Sequence, residues 1–183
     1  MKNSTQQEFL EWYKGFHEPF VRYCSGLAFG IVSAEDLVQD TILQTLQRYE
    51  KIENKDKLAS YMFGIVHNIV KNKRRRLRFK GNWDEKLLNQ LEMKAPSPEI
   101  ATDIHFLMKA MDQLTDQQKT TLILFEISGY RIKEIAALQE KSESAVKTKL
   151  HRSRKKLKTL LSEKENTTVN LQKRMAAFAS ILF

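Results

Sequence analysis

The stretch from Arg131 to Leu161 constrains this chain most. A short amphipathic segment, Arg131–Leu138, meets a break at Gln139-Glu140-Lys141, and Ser142 then offers its hydroxyl as N-cap to a long helix reaching about Leu161. In that helix Val146, Leu150, Leu157 and Leu161 recur at helical spacing, with the small Ser153 inside the same stripe. Lys147, Lys149, Arg152, Arg154, Lys155, Lys156 and Lys158 fill the remaining surface, with no acid among them. One narrow seam can hold such a helix to its domain while its other faces meet a polyanion, which is the build of a helix-turn-helix. Ser144, Lys147, Thr148 and Lys149 lie in the first turns, where base edges are approached. Arg152, Arg154, Lys155 and Lys156 follow, in positions suited to phosphate.

The charge distribution agrees. Seven basic residues lie between Lys147 and Lys158, and seven more between Lys71 and Lys80 (Lys71, Lys73, Arg74, Arg75, Arg76, Arg78 and Lys80), again without an acid. The net charge is +9, so the chain outside these two runs sums to −5. Two basic stretches on a mildly acidic body point to two contacts with a polyanion. At 183 residues and 42% apolar content, the chain can fill one ordinary core or two small ones. No apolar run reaches the roughly 18–20 residues of a membrane span, the start is polar, and the lone Cys24 cannot form an internal disulfide. A cytoplasmic protein is expected.

Six glycines, three prolines and the absence of sustained apolar alternation predict an all-α fold of two small helical domains joined by a flexible linker. The expected limits are 1–80 for the first, 81–101 for the linker around Pro96 and Pro98, 102–162 for the helix-turn-helix domain, and 163–183 for a tail. The first domain should open with one helix over about Gln6–Phe29. Ser33 should cap a second, Ala34–Tyr49, burying Ala34, Val38, Thr41, Ile42, Thr45 and Tyr49 and leaving Glu35, Asp36, Gln39, Asp40, Gln44 and Gln47 outside. A third helix, from about Leu58, turns Tyr61, Met62, Ile65, Ile69 and Val70 inward before entering the basic run. In the second domain Ile104, Leu107, Met108, Met111 and Leu114 share a face, Thr115-Asp116-Gln117-Gln118 matches a capping box, and Ser128-Gly129 ends a helix. In the tail, Leu171, Met175, Phe178 and Leu182 fall on one face. That face either covers a neighbouring apolar patch or packs on the recognition helix or linker to restrain activity.

Ile132-Lys133-Glu134-Ile135-Ala136 and Val146-Lys147-Thr148-Lys149-Leu150-His151-Arg152-Ser153-Arg154 resemble the C-terminal domain of bacterial RNA polymerase sigma factors, in particular the small extracytoplasmic-function type. Ala34-Glu35-Asp36-Leu37-Val38-Gln39-Asp40-Thr41 is similar to that family's polymerase-binding helix. Ser60-Tyr61-Met62-Phe63-Gly64-Ile65-Val66-His67-Asn68 is similar to its promoter-melting segment. The resemblance covers about residues 9–78 and 103–161. It implies a factor that binds core RNA polymerase, through the clamp helices of the beta-prime subunit and the beta flap, and directs initiation at promoters. Asp36, Gln39 and Asp40 would contact polymerase. The connection Lys51–Lys57 with Asn68, Lys71, Arg74 and Arg75 would hold a minus-ten element, and Tyr61 and Phe63 are the aromatics available to stack on an extruded base. Ser144, Lys147, Thr148, Lys149, Arg152 and Arg154 would meet the minus-thirty-five element. An anti-sigma protein is a further partner that the resemblance admits.

Three positions depart from the family pattern. Tyr61-Met62 stands for Trp-Leu, Ala145 for Thr, and Glu140-Lys141 for a glycine and an apolar residue in the helix-turn-helix turn. Without that glycine the turn is either wider or strained at Glu140. His17, His67, His105 and His151 are scattered without ligand spacing, and no phosphate loop or nucleophile motif is present, so no metal, cofactor or enzymatic activity is expected. Two other readings of the residues stand beside the resemblance: a DNA-binding regulator whose first domain senses or dimerises, and an RNA-binding adaptor.

Overall fold

A computed structural model describes residues 2–80, 83–165 and 170–183. The described residues form α-helices and short 3-10 turns, without strands. The opening segment is two helices rather than one, α1 (Lys2–Lys14) and α2 (His17–Ala28). The break falls at Gly15-Phe16, and Pro19 follows within the first turn of α2, where its missing N–H is one of the donors a helix start leaves unpaired anyway. Helix α3 (Ala34–Arg48) starts at Ser33, whose Oγ accepts from the Asp36 N–H at 3.3 Å. It buries Leu37, Thr41 and Thr45, with Tyr49 just beyond. Leu37 belongs to this face although the spacing argument passed over it. The buried hydroxyls of Thr41 and Thr45 each donate 2.7 Å to the carbonyl four residues earlier, so neither hydroxyl is stranded.

Two 3-10 turns, Tyr49–Lys51 and Lys55–Lys57, lead into α4 (Leu58–Lys80), which carries the first basic run. Leu58, Met62, Val66 and Val70 of α4 are buried at spacings of four. The aromatic core between α2 and α4 joins Phe20, Tyr23 and Phe63, with Phe63 edge-on to Phe20 at 5.4 Å and to Tyr23 at 4.7 Å.

The expected linker is largely helical. Helix α5 (Trp83–Lys94) occupies most of it because Leu87 and Leu91, one turn apart, are both buried, and no proline intervenes before Pro96. Gly30, at φ +73°, lies against Leu87, and its N–H donates 2.6 Å to Gln90 Oε1. Only 95–97 separate α5 from α6 (Pro98–Met111), which Ser97 caps with proline in its first turn. Helices α7 (Asp116–Glu126), α8 (Ile132–Gln139) and α9 (Glu143–Glu165) complete the second unit. The capping box forms at Thr115: its N–H donates to Gln118 Oε1 (3.1 Å) and its Oγ1 accepts from the Gln118 N–H (3.3 Å). Gly129 takes the left-handed conformation (φ +78°) after α7.

The tail forms α10 (Leu171–Leu182), which packs on α6 and α2 and more lightly on α9. Leu171, Met175 and Phe178 are buried there, together with Ile181 where the spacing argument placed Leu182, and Phe178 meets Phe29 edge-on at 5.2 Å.

Candidate nucleic-acid interface

The apolar seam of α9 is fully realised: Val146, Ser153, Leu157 and Leu161 are inaccessible, and Leu150 nearly so. Ser153 fits this dry stripe because its Oγ donates 2.7 Å to the Lys149 carbonyl. On the other side Ser144, Lys147, Thr148, His151, Arg152 and Lys155 are exposed along successive turns. Ser142 caps the helix, accepting from the Ala145 N–H at 3.2 Å. The recognition surface is thus a rigid helix face rather than a loop, its aim set by the buried seam.

Two residues expected on that surface turn toward the unit's own interior. Lys149 is half-buried, its Nζ 3.4 Å from the side-chain oxygens of both Gln117 and Gln139, and burial holds its ammonium pKa below the usual lysine range. Arg154 donates through Nε to Glu126 Oε1 at 2.7 Å, with its guanidinium 5.1 Å from the Phe125 ring centre. Helical rotation explains both, since 149 and 154 flank the seam at 146, 150, 153 and 157. His151, by contrast, lies on the exposed side, which the same rotation could have revealed.

The turn between α8 and α9 resolves the missing glycine. Glu140 adopts the left-handed conformation (φ 51°, ψ 48°). The Glu140 N–H reaches the Ala137 carbonyl at 3.3 Å and the Lys141 N–H the Ala136 carbonyl at 2.9 Å, the paired closure of a Schellman motif. The turn keeps its width and Glu140 bears the strain. Glu140→Gly should therefore stabilise the protein by about 1 kcal/mol, measured by chemical denaturation, because the relieved left-handed cost exceeds one exposed ion pair. Unchanged or reduced stability would show that the Glu140 side chain contributes more than its backbone costs.

On α3, Asp36, Gln39 and Asp40 are all exposed, and Leu43, one turn on, is 57% exposed beside Gln44 and Gln47. Among the described residues, this acidic and amide face with one apolar residue lies open to solvent.

On α4 the expected minus-ten set divides. Asn68 and Arg75 point outward, joined by Asn72 and Arg76, while Tyr61 is half-buried. Phe63 is 8% exposed, enclosed by Phe20, Tyr23 and, at 5.8 Å, Tyr130 of the second unit, so its ring is packed in the core here. Arg74 is turned to the second unit, its Nη1 3.6 Å from Asp112 Oδ1, with the Arg74 side chain only 13% exposed. Lys71 stays accessible but faces Asp116 at 3.9 Å. Among the described residues, no cluster of His, Cys, Asp or Glu could hold a metal ion, and no helix is long and apolar enough to cross a membrane.

The described residues thus combine an exposed acidic and amide helix face with two basic helices, the charge pattern of a protein that acts on nucleic acid. The Sigma-70 region 2 model matches residues 12–80 and the Sigma-70, region 4 model matches residues 107–157. The ECF RNA polymerase sigma factor SigX of Bacillus subtilis (strain 168) is 25% identical, covering 92% of this chain and 93% of its own. ECF RNA polymerase sigma factor EcfG of Rhodopseudomonas palustris (strain TIE-1) is 27% identical over 70% of this chain and 71% of its own. RNA polymerase sigma factor SigV of Bacillus subtilis (strain 168) is 26% identical, over 76% and 84%. No solved structure matches. The chain belongs to the sigma-70 family, in its extracytoplasmic-function group, and is a promoter-recognising transcription initiation factor that works with core RNA polymerase.

Proposed function

We propose a division of labour among three helices. The Asp36, Gln39 and Asp40 face of α3 docks on the clamp helices of the beta-prime subunit. The outward face of α4, centred on Asn68 and Arg75 and joined by Lys71, engages the minus-ten element with the Lys51–Lys57 connection. Helix α9 reads the minus-thirty-five element through Ser144, Lys147 and Thr148, with Arg152 on a flanking phosphate, and its unit rests on the beta flap.

The observation that carries this reading is the exposed stripe of α9 opposite a seam without solvent access. Such a helix presents side chains at fixed angles to a major groove, which a solvated charge run does not. Each small unit offers few phosphate contacts, so tight promoter binding comes from tethering both to one polymerase, which raises the effective concentration of the second contact. The acidic face of α3 repels DNA and suits a protein, which favours this reading over a free-standing regulator or an RNA adaptor.

Substitutions on α9 test it, with the chain bound to core enzyme on a promoter fragment. Arg152→Ala should weaken binding alike on all sequences and flatten the log-log salt slope by about 1, as expected on losing one phosphate contact. Lys147→Ala should cost about 1–3 kcal/mol, and only on fragments that keep the minus-thirty-five sequence. Equal binding by both variants and the unaltered chain would overturn the assignment of α9.

A further inference from the structure

Near its end, helix α4 carries a phenyl ring that no described part of the chain covers. Phe79 is 93% exposed, the most exposed of the large apolar side chains among the described residues. Exposure alone would mean little, because single apolar residues are common on any surface. The position on the helix decides the matter. At about 100° per residue, Phe79 lies about three turns beyond Asn68 and only about 20° around the axis from it. Arg75 falls about 20° to the other side of Asn68, and Asn72 and Arg76 lie within about 80°. All five are exposed, and α4 carries no acid. One outward stripe thus holds two amides, two guanidinium groups and, at its far end, an aromatic ring. By contrast, Phe63 is packed among Phe20, Tyr23 and Tyr130, and Tyr61 is half-buried.

We infer that Phe79 is a base-stacking residue, its ring lying against an unpaired base at the edge of the opened minus-ten element. The inference rests on the reading of α4 as the minus-ten helix. A phenyl ring has no hydrogen-bonding group, so it cannot read a base edge, but it offers a flat apolar face to any base. Inside a duplex both faces of a base are covered by its neighbours. A ring stacks only where a base has left the helix or where the stack ends, which is the condition at the boundary of a melted segment. Arg75 and Arg76 attract the backbone and Phe79 adds the stack, the pairing of cation and aromatic that holds a single strand. Asn68 and Phe79 are about 16 Å apart along the helix axis. That is close to about five base steps at roughly 3.4 Å each, so the stripe spans a short melted element. Phenylalanine has few side-chain torsions to fix, so little entropy is lost when the ring is ordered by contact.

The test uses the full chain with core polymerase on a fragment of a promoter that depends on it, either fully paired or left unpaired across the minus-ten element. Phe79→Ala should lower affinity for the unpaired fragment about tenfold. Its melting temperature and core affinity should not change, because the side chain is solvent-exposed. The salt slope should also stay that of the unaltered chain, whereas Arg75→Ala should flatten it by about 1. Phe79→Trp should bind at least as well as the unaltered chain. Phe79→Leu, apolar without a ring, should bind like Phe79→Ala. An abasic site moved through the element locates the stacked base: at one position it should cost the unaltered chain about tenfold and Phe79→Ala nothing further.

Affinity of Phe79→Ala within about twofold of the unaltered chain, full binding by Phe79→Leu, or equal abasic costs in both proteins at every position would each overturn the inference. A loss of core affinity would overturn it too, by making the ring part of a protein contact. Arg75→Ala keeps these outcomes apart from the promoter reading. If it weakens binding while Phe79→Ala does not, only the stacking role fails; if neither substitution has an effect, the assignment of α4 falls as well.

Discussion

Reversing charge at Asp36 and Asp40 together is expected to abolish capture of core polymerase while leaving the fold in place. Both side chains are exposed on α3, and the residues that anchor this helix, Leu37, Thr41 and Thr45, point the other way and are untouched. The structural cost is confined to the first turn, where lysine at 36 opposes the helix dipole by up to about 1 kcal/mol. At a protein interface, close charge pairs contribute about 1.5–7 kcal/mol each, so the double Asp→Lys variant should lose at least ~100-fold in core affinity by competition binding. Asp36→Asn with Asp40→Asn should lose less, because removal of attraction is milder than repulsion. Core affinity within twofold of the unaltered chain, at full helicity, would move the polymerase site elsewhere.

The second large effect concerns Phe63. Replacing it with alanine empties space shared by Phe20, Tyr23 and Tyr130, and should destabilise the protein by about 3 kcal/mol. For a chain of this size that is a melting decrease of roughly 6–12 °C. Phe63→Leu keeps most of the volume and should melt within a few degrees of the unaltered protein, with promoter opening by the holoenzyme preserved. Loss of opening by Phe63→Leu at unchanged stability would return the ring to a stacking role.

Phe63 also shows where a sequence reading stops. The segment from Ser60 to Asn68 marks an α-helix and a place in the chain, but an aromatic on a helix can face a core or a nucleotide with the same neighbours in sequence. Only the apposition of α2, α4 and the Tyr130 loop, remote from one another in the chain, decides it. Local signals fared better because their physics is local. The Ser33 and Ser142 caps, the Thr115–Gln118 box and the left-handed Gly129 all form from residues within a few positions of one another. The seam of α9 was legible for the same reason. Its flanks were not: spacing alone turns Lys149 and Arg154 to solvent, whereas Gln117, Gln139 and Glu126 of other helices lie beside them.

The stretch 81–101 depends on distant residues in another way. Pro96 and Pro98 drew attention to a break, and the break is real, but it is short. Leu87 and Leu91 needed a partner surface to become a helix, and that surface includes Gly30, about sixty residues away, whose N–H is held by Gln90. The tail followed the same rule. Its spacing announced an amphipathic helix, while its position across α6 and α2 depended on Phe29 and Asp103.

The measurement that bears most directly on the account is transcription in vitro from fragmented genomic DNA of the source organism, using purified core RNA polymerase with and without the chain and mapping transcript starts. The account predicts a set of starts seen only when the chain is present, sharing sequence elements near minus-ten and minus-thirty-five and disappearing with the Asp36→Lys, Asp40→Lys variant. Identical start sites with and without the chain would contradict it.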